Sequence, residues 1–279
     1  MKRIRGSLSV IRPEDGIFGA FAVWIGYAVS SGGFLPRRPI PLILVALSTF
    51  FLIGALNILN DIRDLSIDRL IHAKRAMASG SISHLHSVVY LIILLSVSSL
   101  LAISASILSG RVLIMVIFAA GLTMGLLYEA RYKNKGYVGN VIIAVMVSLP
   151  LLIGASLGSV SLLVITLCIM AFLTSLGKEI INDVKDMKGD MGFRMTLPAI
   201  FGKNRSLLFA VIFLSMAVIL SIFPAFFVGF KPAYLLLIGI ADLILISVMI
   251  ISFKGPNLAH RLNSLGMVIS LPAFLSLTF

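Results

Sequence analysis

Acidic side chains are scarce in this sequence, and where they fall is informative. The chain has 279 residues and only eleven Asp or Glu. Seven of them lie in two short segments. The first runs Asn57-Ile-Leu-Asn60-Asp61-Ile-Arg63-Asp64-Leu-Ser-Ile-Asp68. The second runs Glu179-Ile-Ile-Asn182-Asp183-Val-Lys185-Asp186-Met-Lys-Gly-Asp190. They match at a constant offset of 122 residues, in the form N-D-x-[K/R]-D-x-x-x-D. An α-helix turns about 100° per residue, so carboxylates at i, i+3 and i+7 share one face. Asp61, Asp64 and Asp68 therefore stand together, with Asn57 one turn earlier. Asp183, Asp186 and Asp190 repeat the pattern, with Glu179 in the place of Asn57.

Carboxylates this close repel one another, and a membrane boundary adds a desolvation cost. Bound cations relieve both. Mg²⁺ takes oxygen ligands in octahedral geometry and is usually held by one or two carboxylates plus phosphate oxygens. Two facing carboxylate helices could thus hold Mg²⁺ ions that bridge one diphosphate. The metal would neutralise the leaving group as its C–O bond breaks, and an apolar cavity would shield the allylic cation left behind. A single D-x-x-D is most often a solvated helix face or a cap. Two copies at one offset, each with Asn before the first Asp, are not explained that way. A cation or substrate transporter is the competing class. Transporters, however, tend to keep charge near the bilayer midplane, whereas these acids fall at the ends of apolar stretches. A purely structural membrane subunit would leave both motifs without a purpose.

The elements that must position these faces are transmembrane helices. The chain is 59% hydrophobic and 12% charged, with a mean hydropathy of +1.10. A soluble domain of this length cannot hide that much apolar surface. A span needs about 20 mainly apolar residues, and nine such segments are expected: 16–35, 40–60, 86–108, 112–129, 138–158, 160–181, 206–229, 233–253 and 262–279. The predicted fold class is an all-α polytopic membrane protein. About nine helices surround a central cavity, with both Asp-rich motifs at cytoplasmic helix ends. Residues 1–279 read as one domain with an internal repeat, motif one near 57–80 and motif two near 178–198. The apolar stretch after Asp15 is followed by no small-residue cleavage signal, so it is expected to stay as the first span.

Nine spans place 19 of the 23 Lys and Arg on the side of the N-terminus. The other side keeps Arg37, Arg38, Arg111 and Lys231. The positive-inside rule puts the N-terminus and both motifs in the cytoplasm of a multi-pass cell-membrane protein. A net charge of +12 would suit nucleic acid, but here it is distributed among loops between spans, so no nucleic-acid partner is expected.

These residues resemble the UbiA superfamily of intramembrane prenyltransferases, whose fold is nine transmembrane helices around a central cavity. The resemblance spans nearly the whole chain. N-D-x-x-D-x-x-x-D appears as Asn60 to Asp68, and D-x-x-D-x-x-x-D as Asp183 to Asp190. Ile11-Arg12-Pro13, Arg75 with Ser79-Gly80, Tyr128 through Lys133 with Gly139-Asn140, Lys178-Glu179, and Gly189-Asp190 with Gly192 and Thr196-Leu197-Pro198 resemble further family segments. The family's usual prolines around Arg75 are replaced by Ala73, Ala76 and Ala78, and a usual Asn by Ile71. Gly192 follows Asp190 more closely than usual. The alanines favour extra helix in the first cytoplasmic loop. Within the superfamily, the Arg-Pro, Tyr128–Asn140 and Thr-Leu-Pro blocks look most like the archaeal branch. That branch moves a geranylgeranyl group onto the free hydroxyl of geranylgeranylglyceryl phosphate. The quinone and tetrapyrrole branches share parts of the motifs and remain the alternative.

The resemblance implies a Mg²⁺-dependent transferase acting on a prenyl diphosphate and a lipid-like, phosphate-bearing acceptor in the bilayer. Asp61, Asp64, Asp183 and Asp186 are the expected catalytic residues, and with Asp68 and Asp190 the expected metal ligands. Arg75 and Lys133 suit diphosphate oxygens, one as a planar fork and the other as a point charge, although loop cations also serve topology. Arg12, Asn57, Asn60, Tyr128, Lys178 and Asn182 complete the expected substrate contacts. Tyr128 reads equally well as an interfacial aromatic. Asp242 is isolated inside the eighth expected span, and its sequence context suggests no role. Cys168 has no partner for an intrachain disulfide, and His72, His84, His86 and His260 lack a metal-ligand arrangement.

Overall fold

The computed structural model describes residues 9–36, 39–71, 73, 75–190 and 195–279; of Ile71 and residues 188–190 it describes the backbone. Arg37, Arg38, Gly192 and Arg194 lie outside the described residues, as do His72, Lys74 and residues 1–8.

The described residues form helices joined by short connections, with no strand among them. In chain order they are α1 Pro13–Ser31, α2 Pro39–Ile71, α3 His84–Ser109, α4 Leu113–Leu127, α5 Tyr137–Ala155, α6 Leu162–Asp190, α7 Leu197–Phe201, α8 Lys203–Leu220, α9 Phe223–Val228, α10 Pro232–Ile251 and α11 Pro256–Ser276. Among them, seven helices are long and apolar enough to cross a membrane. The first and last, α1 and α11, have 19 and 21 residues and carry more polar side chains. The chain is a multi-pass membrane protein.

Local sequence sets the helix ends. Proline opens α1, α10 and α11 within their first two positions, where its missing N–H costs nothing and its φ is already helical. Ser83 caps α3, its hydroxyl accepting from the His86 N–H. Gly32 and Gly110 close α1 and α3 in the left-handed region, at φ 64° and 68°, a conformation glycine adopts without Cβ strain.

Three boundaries depart from expectation. First, α2 runs beyond the expected span 40–60: the helix has 33 residues and reaches Ile71, about 50 Å at 1.5 Å per residue, so motif one rides on unbroken helix, as its i, i+3, i+7 spacing requires. Second, the expected span 206–229 breaks at Ser221–Ile222, because Pro224 near the start of α9 has no N–H to continue the ladder. Third, described residues 73–83 are turns rather than the extra helix favoured by the alanines. Ala76, Met77 and Ile82 are instead buried against Val10 and Ile58, so packing overrides local propensity.

The helices form a ring. α1 packs on α2, α5 and α11, α5 on α6, α6 on α8 and α11, and α10 on α11. The α1–α5 crossing is very close: a Cβ on Gly26 would lie 2.0 Å from the Leu151 carbonyl oxygen, and one on Gly154 would lie 1.9 Å from that of Val23. Small residues permit such backbone approach between membrane helices. Inside the ring lies a cavity of about 700 Å³, within the usual size of ligand pockets.

Candidate active site

The three motif-one aspartates lie on one face of α2 and are almost fully buried, with 4%, 9% and 4% exposure for Asp61, Asp64 and Asp68. Buried carboxylates require partners, and each meets a cation from a different segment. The Arg12 guanidinium donates to Asp61 Oδ1 at 2.6 Å. Lys133 Nζ donates to Asp64 Oδ2 at 2.8 Å. Arg75 Nη1 reaches both oxygens of Asp68, at 2.9 and 2.8 Å. Arg12 precedes Pro13 and is the one non-glycine residue with positive φ among those described, at 50°. Holding a side-chain-bearing residue there costs about 1–3 kcal/mol, and the pair with Asp61 helps fix the turn.

The helix continuing from α4 supplies the other wall. Tyr128–Tyr132 forms a π-helical turn, closed by the Lys133 N–H donating to the Tyr128 carbonyl at 2.8 Å. Such a turn inserts a residue into the helix and re-aims the side chains beyond it. Glu129, buried at 8% exposure, accepts from Asn60 Nδ2 at 2.8 Å and from Lys133 Nζ at 3.0 Å. Arg63 donates to its carbonyl at 3.2 Å. Lys133 thus bridges two carboxylates, and its side chain is only 7% exposed.

Motif two is more open. Asn140 Nδ2 donates to Asp183 Oδ2 at 2.7 Å. Lys185 Nζ donates to Asn182 Oδ1 at 2.6 Å and lies 3.6 Å from Asp186, whose side chain is 48% exposed. The Asp190 side chain is outside the described residues. Among the described residues, no three of His, Cys, Asp and Glu converge closely enough to hold a metal ion.

At its mouth the cavity is lined by Arg12, Asn57, Asn60, Tyr128 and Lys178, all singled out from sequence. The side chains of Asp61, Asp64, Asp183 and Asp186 are not among the lining residues. Asp15, Glu129 and Glu179 also line the mouth. Asn57 Nδ2 donates to Asp15 Oδ2 and to the Ile11 carbonyl, each at 3.2 Å. Sequence reasoning missed Asp15, Glu129 and Asn140 as site residues. A signal for Glu129 existed, since it is one of only four acids outside the two motifs and lies one turn before Lys133. Nothing in the sequence paired Asn140 with Asp183. Deeper, the lining turns apolar, with Ala22, Leu151, Met170, Ile238 and Phe274.

A helical ring with duplicated Asp motifs beside the polar mouth of an apolar chamber defines a class of membrane transferase. The UbiA prenyltransferase family model matches residues 19–276, and the chain belongs to that family. Digeranylgeranylglyceryl phosphate synthase of Methanocaldococcus jannaschii is 33% identical over 258 residues, 92% of this chain and 88% of that one. A solved structure from work on digeranylgeranylglyceryl phosphate synthase in membranes superposes with a TM-score of 0.78 at 31% identity, over 99% of this chain and 98% of the other. A UbiA homolog from Archaeoglobus fulgidus bound to GPP and Mg²⁺ shares the fold, with a TM-score of 0.68 at 19% identity over 98% and 99% of the two chains.

Proposed function

We propose that the protein transfers a geranylgeranyl group from geranylgeranyl diphosphate to the free hydroxyl of geranylgeranylglyceryl phosphate, forming an ether. The observation that carries this reading is the cavity: a polar mouth of Arg12, Lys178, Asn57, Asn60 and three acids, beside the two Asp motifs, leads into an apolar chamber. A diphosphate belongs at such a mouth and a prenyl tail in such a chamber. The similarity to digeranylgeranylglyceryl phosphate synthases over most of the chain supports the acceptor. Sidedness follows the positive-inside reading, with the N-terminus and both motifs cytoplasmic. The two Asp helices are read as related halves of one nine-span domain.

The donor set suits a hard divalent cation, since the metal-binding side chains the motifs offer are carboxylate and amide oxygens. Asp61, Asp64 and Asp68 on α2, and Asp183, Asp186 and Asp190 on α6, would hold Mg²⁺. Bound there, the ion supplies positive charge to the departing diphosphate. The chain's own residues do the rest. Arg12, Arg75, Lys133 and Lys178 bind phosphate oxygens by charge-assisted hydrogen bonds. Asn57, Asn60, Tyr128 and Asn182 orient the head group. The apolar wall excludes water from the allylic cation until the acceptor hydroxyl attacks C1. That hydroxyl's proton passes to a mouth carboxylate or to the released diphosphate.

The test is a competition assay on purified protein with labelled geranylgeranyl diphosphate and Mg²⁺. Geranylgeranylglyceryl phosphate should be prenylated in preference to 4-hydroxybenzoate, dihydroxynaphthoate and a chlorin acid. Preference for an aromatic or tetrapyrrole acceptor would overturn the acceptor assignment while sparing the family.

A further inference from the structure

Asp242 is the charged residue that the mouth does not explain. It sits midway along α10, in a helix that crosses the membrane, about 15 Å from either end at 1.5 Å per residue. It lines the cavity beside Ala241. An acid at that depth is costly and normally has a function. Here it is also firmly held. The helix break at Ser221 brings the Ser221 hydroxyl to Asp242 Oδ2, to which it donates at 2.6 Å. Tyr234, fully buried, donates to the Ser221 carbonyl at 2.5 Å and so satisfies a backbone group exposed by the break. Asp242 on the chamber wall is thus held from behind by Ser221 at the end of α8, whose carbonyl is in turn held by Tyr234 of α10.

Its surroundings identify what meets it. Ala22, Leu151, Met170, Ile238, Ala241 and Phe274 all line the cavity and all belong to one packed cluster, on turns remote from the motifs: Met170 lies 13 residues before Asp183 on α6, about 20 Å at 1.5 Å per residue. Asp242 adjoins that cluster, next to Ala241 and one turn from Ile238. A ligand whose head lies at the mouth presents its tail end there, and for a prenyl diphosphate that end is hydrocarbon. Apolar burial alone favours ever longer tails, because every added carbon gains. A carboxylate that loses its remaining hydration to hydrocarbon reverses that gain.

We propose that Asp242, positioned by Ser221 and Tyr234, limits the length of prenyl tail the cavity accepts. This rests on the prenyl-transfer reading and adds a specificity determinant to it. The experiment compares kcat/KM for geranyl, farnesyl, geranylgeranyl and geranylfarnesyl diphosphate in the wild type and in Asp242→Ala, Asp242→Asn and Ser221→Ala. Thermal unfolding in detergent reports folding. The wild type should rise to geranylgeranyl and fall at geranylfarnesyl diphosphate. Asp242→Ala should raise the geranylfarnesyl to geranylgeranyl ratio by about tenfold or more, the scale on which pockets discriminate small apolar differences. Asp242→Asn should keep the wild-type ratio. If Asp242→Ala does not fold, Ser221→Ala carries the test, since a carboxylate without its compensating hydroxyl is costlier to desolvate and should lower the same ratio further, an unchanged ratio counting against the proposal. An unchanged ratio in a folded Asp242→Ala, or a wild type that uses geranylfarnesyl diphosphate as well as geranylgeranyl, would overturn the proposal while leaving prenyl transfer intact. A wild type that turns over none of the four would overturn both.

Discussion

At the residue scale, the motif-one carboxylates already have cationic partners. Asp61, Asp64 and Asp68 each bind an Arg or Lys within 3 Å. Removing one member of a buried pair leaves an uncompensated charge, which costs about 3–5 kcal/mol. Lys133→Ala should therefore lower thermal stability as well as weaken prenyl diphosphate binding, with KM for the diphosphate rising by about tenfold and KM for the acceptor much less. Kinetics with each substrate varied separately will check this. Asp64→Ala and Asp183→Ala should each reduce turnover by about 100-fold or more, a scale common for lost electrostatic stabilisation. Circular dichroism should show the helices intact. Glu129→Ala should resemble Lys133→Ala in its effect on KM, because Glu129 holds Lys133 and Asn60 together. Glu129→Gln keeps an acceptor oxygen and should recover part of the loss.

At the element scale, the close approach of α1 and α5 sets the shape of the ring. A side chain at Gly154 would meet backbone rather than a movable side chain. Gly154→Val should cost about 1–3 kcal/mol or more through overpacking, read as a lower unfolding temperature in detergent. Much of this level was legible beforehand. Long apolar runs announce helices, and the repeated Asp spacing fixes which faces matter. The break at Ser221 was less visible because the apolar run continues across it. The turns at 73–83 were hidden because Ala76 and Met77 are good helix formers whose burial against Val10 and Ile58 decides the outcome. The partners of the motif acids were partly legible. Lys133 and Arg75 were chosen for their charge, but that each lies against its own aspartate comes from three-dimensional packing that periodicity does not encode.

At the scale of the whole molecule, two readings can be tested directly. Chelation of divalent ions should abolish prenyl transfer while leaving helix content unchanged, since the described fold closes through apolar packing; turnover and circular dichroism on the same sample will check both halves. Sidedness can be mapped because Cys168 is the single cysteine. In a Cys168→Ser background, Arg131→Cys should be labelled by a membrane-impermeant thiol reagent only from the cytoplasmic side, and Ser159→Cys only from the outside. Opposite labelling would invert the topology.

The unbroken length of α2 links the enzyme to the thickness of its membrane. A hydrocarbon core of about 30 Å is shorter than this helix, so an upright α2 whose apolar start lies in the core would extend about 20 Å beyond it, with motif one near the point of emergence. Thickening the bilayer would sink the carboxylates toward oil, and thinning it would lift the mouth away from the lipid in which the prenyl tail travels. Small mismatches of this kind cost fractions of a kcal/mol per Å. Turnover in vesicles of graded acyl length should therefore pass through a maximum, and the protein would be tuned to the lipids around it without any dedicated sensor.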